Sequence, residues 1–149
     1  MSVGEKERHL TERLSLIEDP QERLAALMSR AKKWPVPAPD ELVDANRVLG
    51  CQSRVWLVPR LEEGVCRFAM ECDAPMVKGL VALMCEVFDG GTPADVAATE
   101  PQIFETLGFT RMITPTRLNG LAAVRSRIRE FAKGKMTNDG LDDITLRSL

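Results

Sequence analysis

The chain of 149 residues has no tyrosine and one histidine, His9, set in the charged run Glu5-Lys6-Glu7-Arg8-His9. Most hydrolase and transferase mechanisms rely on a positioned imidazole as general base, so this inventory argues against them. No Gly-rich phosphate loop of either common type is present, which sets nucleotide chemistry aside. No apolar run approaches the length of a membrane span, so no membrane partner is expected. The N-terminus, Met1 to Leu10, shows no apolar stretch behind a positive flank and reads as lacking a signal peptide. The four cysteines, Cys51, Cys66, Cys72 and Cys85, are therefore expected as reduced thiols in the cytoplasm.

There is also no basic excess. The formal net charge is −2, whereas nucleic-acid binding needs a positive surplus or a concentrated basic face. Arg125, Arg127 and Arg129 come nearest to a cluster, but they spread around one helical pattern and read as a solvated face. What is present is ordinary: 44% apolar and 28% charged residues, a soluble globular composition of a length that suits one domain.

Along the chain, Leu10, Leu14 and Ile17 share one face of a helix from about Glu5 to Glu18. Asp19-Pro20-Gln21-Glu22 has the N-cap, first-turn proline and third-position glutamate of a second helix start. That helix must end before Trp34-Pro35-Val36-Pro37-Ala38-Pro39. Ser53 to Val58 reads as a strand, Glu62-Glu63-Gly64 as a turn, and Val65 to Cys72 as a second strand. In the latter, Cys66, Phe68, Met70 and Cys72 alternate with Arg67 and Glu71. A third strand is expected near Leu42 to Leu49. Pro75 opens a strongly apolar helix that stops at Gly90-Gly91. Thr92-Pro93 and Thr99-Glu100-Pro101 each read as a short helix start, Gly108 ends the second, and Thr114-Pro115 begins a last long helix. The expectation is one α+β domain over residues 1–134, with helices on a small antiparallel sheet of about three strands. Residues 135–149 are expected to form a mobile tail.

Cys51 stands apart by position. It follows Gly50, whose backbone freedom permits close approach of another molecule, and it immediately precedes a strand. Position alone leaves both a chemical role and a packing role open, because free cysteine is commonly a buried apolar residue. Cys66 and Cys72 on an apolar strand face, and Cys85 in an apolar helix, read as packing. No two cysteines have the short paired spacing of a structural zinc site. Asp73 reads as an N-cap for the helix opened by Pro75. Arg117 lies in the first turn of the last helix, where a cation opposes the macrodipole; a specific partner such as a nearby carboxylate and plain exposed solvation are equal readings of it. Lys78 reads as solvated and Gly79 as a point of close helix packing.

The run Val48-Leu49-Gly50-Cys51-Gln52-Ser53-Arg54-Val55-Trp56-Leu57 resembles the cysteine loop and following strand of SufE-type sulfur acceptors. Asp73-Ala74-Pro75-Met76-Val77-Lys78-Gly79-Leu80, Leu107-Gly108-Phe109 and Thr114-Pro115-Thr116-Arg117-Leu118-Asn119-Gly120-Leu121 resemble that family's other signatures, in the same order. The resemblance spans roughly Leu14 to Lys133. It implies a fold similar to the SufE/IscU type, with Cys51 as the sulfur-carrying residue and Gly50, Gln52, Ser53, Asp73 and Arg117 as supporting residues. It further implies a SufS-like pyridoxal-phosphate cysteine desulfurase as donor partner and a SufB-like cluster scaffold as recipient. No cofactor or metal is expected on this chain, as monomer or homodimer. Cys72 departs from the family, which more often has serine there. The competing readings are a paralogous acceptor serving another pathway such as tRNA modification, an IscU-like scaffold holding zinc or a cluster, and a plain adaptor in which Cys51 is packing and the surface alone regulates a partner. Thiolate attack on a sulfane sulfur suits the residue inventory, because it needs no metal, nucleotide or histidine base.

Overall fold

The computed structural model describes the backbone of residues 1–148 and the side chains of residues 1–136. Helix α1 (Val3–Ser15) is capped by Ser2, whose hydroxyl accepts from the Glu5 N–H. It thus begins and ends slightly before the span expected from its apolar pattern. Helix α2 (Pro20–Ala31) starts as the sequence suggests, with the Asp19 carboxylate accepting from the Gln21 N–H and Pro20 in the first turn. Strands β1 (Val55–Glu62) and β2 (Val65–Cys72) form an antiparallel hairpin with Val55 opposite Cys72 and Glu62 opposite Val65. Glu63 and Gly64 connect them, both with positive φ, as the primed two-residue turn that matches strand twist requires.

The sheet has two strands, not about three. The segment expected as a third strand instead forms two 3-10 turns, Pro39–Glu41 and Asp44–Asn46, and makes one isolated bridge, Arg47 to Trp56. The reason is local. Turn bonds such as Asn46 N–H to Val43 O and Arg47 N–H to Asp44 O use the donors that a ladder would need. Its apolar residues also have no buried face to line, for Leu42, Val43 and Leu49 are exposed and only Val48 is buried. The free edge of β2 is covered instead by backbone bonds from Met70 N–H to Pro35 O, Cys66 N–H to Gly91 O and Gly90 N–H to Cys66 O, which protects it from pairing with another chain.

Helix α3 (Pro75–Phe88) is buried on nearly all sides and packs on α2 and on the inner face of the hairpin. Gly79 permits the first contact, since a Cβ there would lie 3.1 Å from the Met28 backbone nitrogen and 3.2 Å from the Leu27 carbonyl carbon. Helix α4 (Pro93–Ala98) is capped by Thr92. The next helix, α5 (Ile103–Thr106), begins after Pro101 and not at Thr99. The Thr99 hydroxyl donates back to Asp95 O, and the start of α5 is capped from outside by the Glu7 carboxylate of α1, which accepts from Gln102 and Ile103 N–H. Helix α6 (Pro115–Ser148) starts where Thr114 accepts from the Arg117 N–H. The expectation of a mobile tail over residues 135–149 falls, from residue 137 onward, outside the described side chains.

The core joins the inner hairpin face (Leu57, Cys66, Phe68, Met70) to α3 (Leu80, Leu83, Cys85, Phe88), Ile103, Phe109 and Ile128. Each such large apolar side chain contributes about 1.5–3 kcal/mol on burial. The three arginines of α6 are not a solvated face. Arg125 is 5% exposed, lies over the Phe88 ring and donates to Val96 O and Thr99 O. Arg129 pairs with Glu100, and Arg127 donates to Arg47 O and Ala45 O at 3.0 Å each. That last pair ties α6 to the segment leading into Cys51. Among the described residues, no helix is long and apolar enough to cross a membrane.

Candidate functional site: a thiol on a clamped loop

Residues 49–54 form a loop closed at its base by the Val48 N–H, which donates to Val55 O at 2.9 Å. Beneath it, the Arg47–Trp56 bridge continues the closure for one pair, and Val48 is anchored in the core. Arg127 holds the incoming arm from α6. On the outgoing arm, Asp73 accepts from the Arg54 N–H at 2.9 Å and from Arg54 Nε at 3.0 Å. Asp73 is therefore not the N-cap of α3. Ala74 occupies that position without a side-chain cap, and Asp73 spends both oxygens on Arg54. Arg47 and Arg54 also flank the Trp56 ring, 5.9 Å and 5.8 Å from its centroid.

Between these two fixed arms the loop turns at Gly50, which has φ +96°. An L side chain is strained in that region, so glycine is what lets the chain reverse there. Leu49 beside it is the most exposed large apolar side chain among the described residues, at 83%. Cys51 by contrast turns inward and is half-buried. Its Sγ–H donates to Gly120 O of α6 at 3.4 Å.

The thiol sits at a small recess of about 80 Å³ lined by Cys51, Gln52, Ser53, Val77, Thr116, Arg117 and Gly120. Gly50 and Gln52 are exposed, and Ser53 is half-buried. The Arg117 side chain lies at this rim, its Nη1 3.5 Å from Met76 Sδ. Arg117 and Cys51 thus share one recess, whereas Asp73 acts on the loop's far arm through Arg54. Burial pushes the Cys51 thiol pKa up, because removing water disfavours the thiolate. At rest the thiol is mostly protonated and weakly nucleophilic.

Of the other cysteines, Cys66 and Cys85 are closed off, whereas Cys72 lies at an open groove with Met28, Lys32, Asp73 and Lys78. Cys66 and Cys85 are fully buried, and Cys72 is 7% exposed with its S–H directed to Ala74 O at 3.6 Å. Burial raises the pKa of all three, most of all for Cys85. Cys72 also feels smaller raising effects from Asp73 and Cys51, so its thiol lies within electrostatic reach of Cys51. All four cysteines are free thiols. Lys78, read from sequence as solvated, instead pairs with Glu71 at 2.9 Å and ties α3 to β2. Among the described residues, no three His, Cys, Asp or Glu side chains gather as a metal site.

Sequence reasoning singles out neither Arg54, Arg127 nor Gly120 as site residues. Arg54 and Arg127 act through contacts between distant segments, which no local pattern encodes. Gly120 does leave a signal, a glycine in the interior of a helical pattern, where it carries a cost.

The fold is thus a two-stranded α+β domain that presents one half-buried thiol on a loop clamped at both arms. The family model for SufE, described as an Fe-S metabolism associated domain, matches residues 8–132. An uncharacterized SufE-like protein of Synechocystis sp. is 34% identical over 111 residues, covering 74% of this chain and 70% of its own length. A second uncharacterized SufE-like protein, of Rhizobium etli, is 32% identical over 122 residues, covering 78% and 82% respectively. The solution structure of a hypothetical protein from Thermus thermophilus superposes with a TM-score of 0.74 at 28% identity, covering 89% of this chain and 96% of that one. The chain belongs to the SufE family. Membership implies an accessory role in sulfur transfer and points to a cysteine desulfurase as partner.

Proposed function

We propose that this protein accepts sulfur on Cys51 from a SufS-like, pyridoxal-phosphate cysteine desulfurase. It then delivers that sulfur to a SufB-like scaffold for iron–sulfur cluster assembly. The observation that carries this reading is the Cys51 thiol itself, alone of the four in standing on a loop with a glycine turn and an opening to solvent. In the accepting step the Cys51 thiolate attacks the outer sulfur of the donor persulfide. A new S–S bond forms on Cys51, the donor S–S bond breaks, and the donor cysteine leaves as thiolate. Delivery repeats the exchange with Cys51 as the leaving thiolate, so oxidant and reductant are not needed.

The raised pKa sets a condition on the first step. A thiol kept protonated by burial must leave the recess or gain a nearby positive charge before it attacks. Turning about Gly50 is the movement that requires least rearrangement, since both arms beyond it are bonded to the body of the domain. Desulfurase binding then favours a loop-out state already populated to a small extent, and retraction afterwards shields a persulfide that solvent oxidants or thiols would destroy.

Incubation with a cysteine desulfurase and cysteine, followed by peptide mass spectrometry, tests the reading. One added sulfur on the Cys51 peptide is expected, together with stimulated desulfurase turnover that Cys51→Ser abolishes. Stimulation that survives Cys51→Ser would make the protein an adaptor instead. Stoichiometric zinc or a cluster held through Cys51 would favour a scaffold.

A further inference from the structure

Gly120 lies in the interior of α6, where glycine destabilises a helix relative to alanine. Its backbone requires no glycine, because it is not among the positive-φ residues. It is also not the seam of a helix pair in the manner of Gly79, whose missing side chain admits the backbone of α2. The three nearest heavy atoms that a Cβ at residue 120 would meet all belong to Cys51: Sγ at 3.1 Å, Cα at 3.8 Å and Cβ at 3.8 Å. The carbonyl of the same residue accepts the Cys51 S–H. Gly120 is itself buried.

From this geometry we infer that Gly120 is the positioning residue for the resting thiol. The absent side chain makes the seat that Cys51 Sγ occupies, and its carbonyl supplies the hydrogen bond that favours the protonated form. Glycine at a helix position that needs no positive φ carries a local cost, and here the missing side chain makes room for Cys51. Gly50 supplies the means of response. Its left-handed turn and the open space around Leu49 let the cysteine move outward if the seat is filled, without disturbing Val48 or Val55. At 3.1 Å the sulfur has to give by a few tenths of an ångström, and the loop that carries it is softer than the helix.

The same helix contains its own control. A Cβ on Gly134 would meet nothing within 4 Å. Gly134→Ala should therefore raise the melting temperature and leave Cys51 unchanged. Gly120→Ala should displace the thiol, speeding alkylation of Cys51 in the free protein several-fold at pH 7 and moving the pH–rate profile to lower pH. The two substitutions gain the same helix propensity, so a difference in thiol reactivity between them isolates the seat.

A second measurement keeps the inference testable should Gly120→Ala disturb the fold. In a Cys51→Ala background the obstructing sulfur is gone, so Gly120→Ala should raise the melting temperature more than it does in the presence of Cys51. The mismatch of the cycle reads the contact directly. Unaltered Cys51 labelling in Gly120→Ala, or equal effects of that substitution in both backgrounds, would overturn the inference. The meaning of the seat for sulfur transfer rests on the function proposed above, but these readouts do not. Should Cys51 take no sulfur from a desulfurase, that function fails while the labelling and melting results still decide the role of Gly120.

Discussion

The two ends of the β hairpin hold cysteines in opposite ways. Near the turn, Cys66 stands opposite Leu61, and its backbone is bonded to both Gly90 and Gly91. Near the open end, Cys51 precedes β1 on a loop whose own thiol has one long hydrogen bond, to Gly120. Burial raises the pKa of both, so electrostatics alone would not tell them apart. What differs is the covering. The lid over Cys66 is hydrogen-bonded strand and helix, and removing it means unfolding. Cys51 is covered only because its loop leans on α6, and moving that loop breaks few bonds. The two thiols therefore differ not in the direction of their pKa shifts but in what must move to expose them: for Cys51 a loop, for Cys66 the hairpin and the chain that covers it.

The sharpest way to break this comparison is to exchange the consequences of losing each thiol. Cys51→Ser should remove all persulfide formation with a desulfurase and leave the melting temperature nearly unchanged. Cys85→Ala should do the reverse: sulfur acceptance persists, while chemical denaturation shows a loss of about 1–3 kcal/mol from the cavity left in a close-packed core. Comparable stability losses from both substitutions would mean that Cys51 is a packing residue after all.

A pH series sharpens the same contrast. Complete burial, with Asp89 adding to it, pushes the Cys85 thiol above the usual range. The native state then keeps a proton that the unfolded chain releases near an ordinary thiol pKa of about 8.5. The sign follows: this contribution is fully present below that pH and is lost as pH rises above it. The melting temperature should fall between about pH 8 and 10, and Cys85→Ala should flatten that fall. Cys51→Ser should change it less, because the Cys51 loop can open and ionise without global unfolding.

Much of this arrangement is legible in the sequence. Alternation places Cys66, Phe68, Met70 and Cys72 on the inner face of β2, and Thr92, Thr114, Asp19 and Gly108 mark helix ends through local chemistry that needs no tertiary partner. The misreadings share a cause. The stretch Leu42 to Leu49 looks strand-like by composition, but it has neither a free ladder nor a buried face to join. Asp73, Lys78, Arg125, Arg127 and Arg129, taken from their own neighbourhoods, read as cap or solvated charges. Each is instead bonded to a residue of another element or loop: Arg54, Glu71, the end of α4, the approach to the Cys51 loop, and Glu100. Charged residues have several ways to be satisfied locally, and only the fold selects among them. The cysteine loop is recognisable as a motif, whereas the clamp on its arms is not.

That clamp supplies the prediction of smallest effect. Asp73 holds the outgoing arm through Arg54, and the Arg54 side chain bond is the main reason its carboxyl titrates below the usual aspartate range. A depressed pKa means that the clamp is complete above the ordinary aspartate value and releases only as pH falls through the lower, folded-state value, so it is engaged at neutral pH. Asp73→Asn keeps the shape and removes the charge, weakening the hold on Arg54 while the Val48–Val55 bond and the Arg127 anchor remain. Cys51 alkylation should then quicken, but by less than about twofold, since exposed ion pairs are weak and screened by salt. The screening provides the stricter test. Raising the salt concentration should move the wild-type labelling rate toward that of Asp73→Asn and leave the variant itself nearly unaffected. If the two proteins respond equally to salt, the outgoing arm is held by the hairpin alone, and access to Cys51 is governed by the contact with α6.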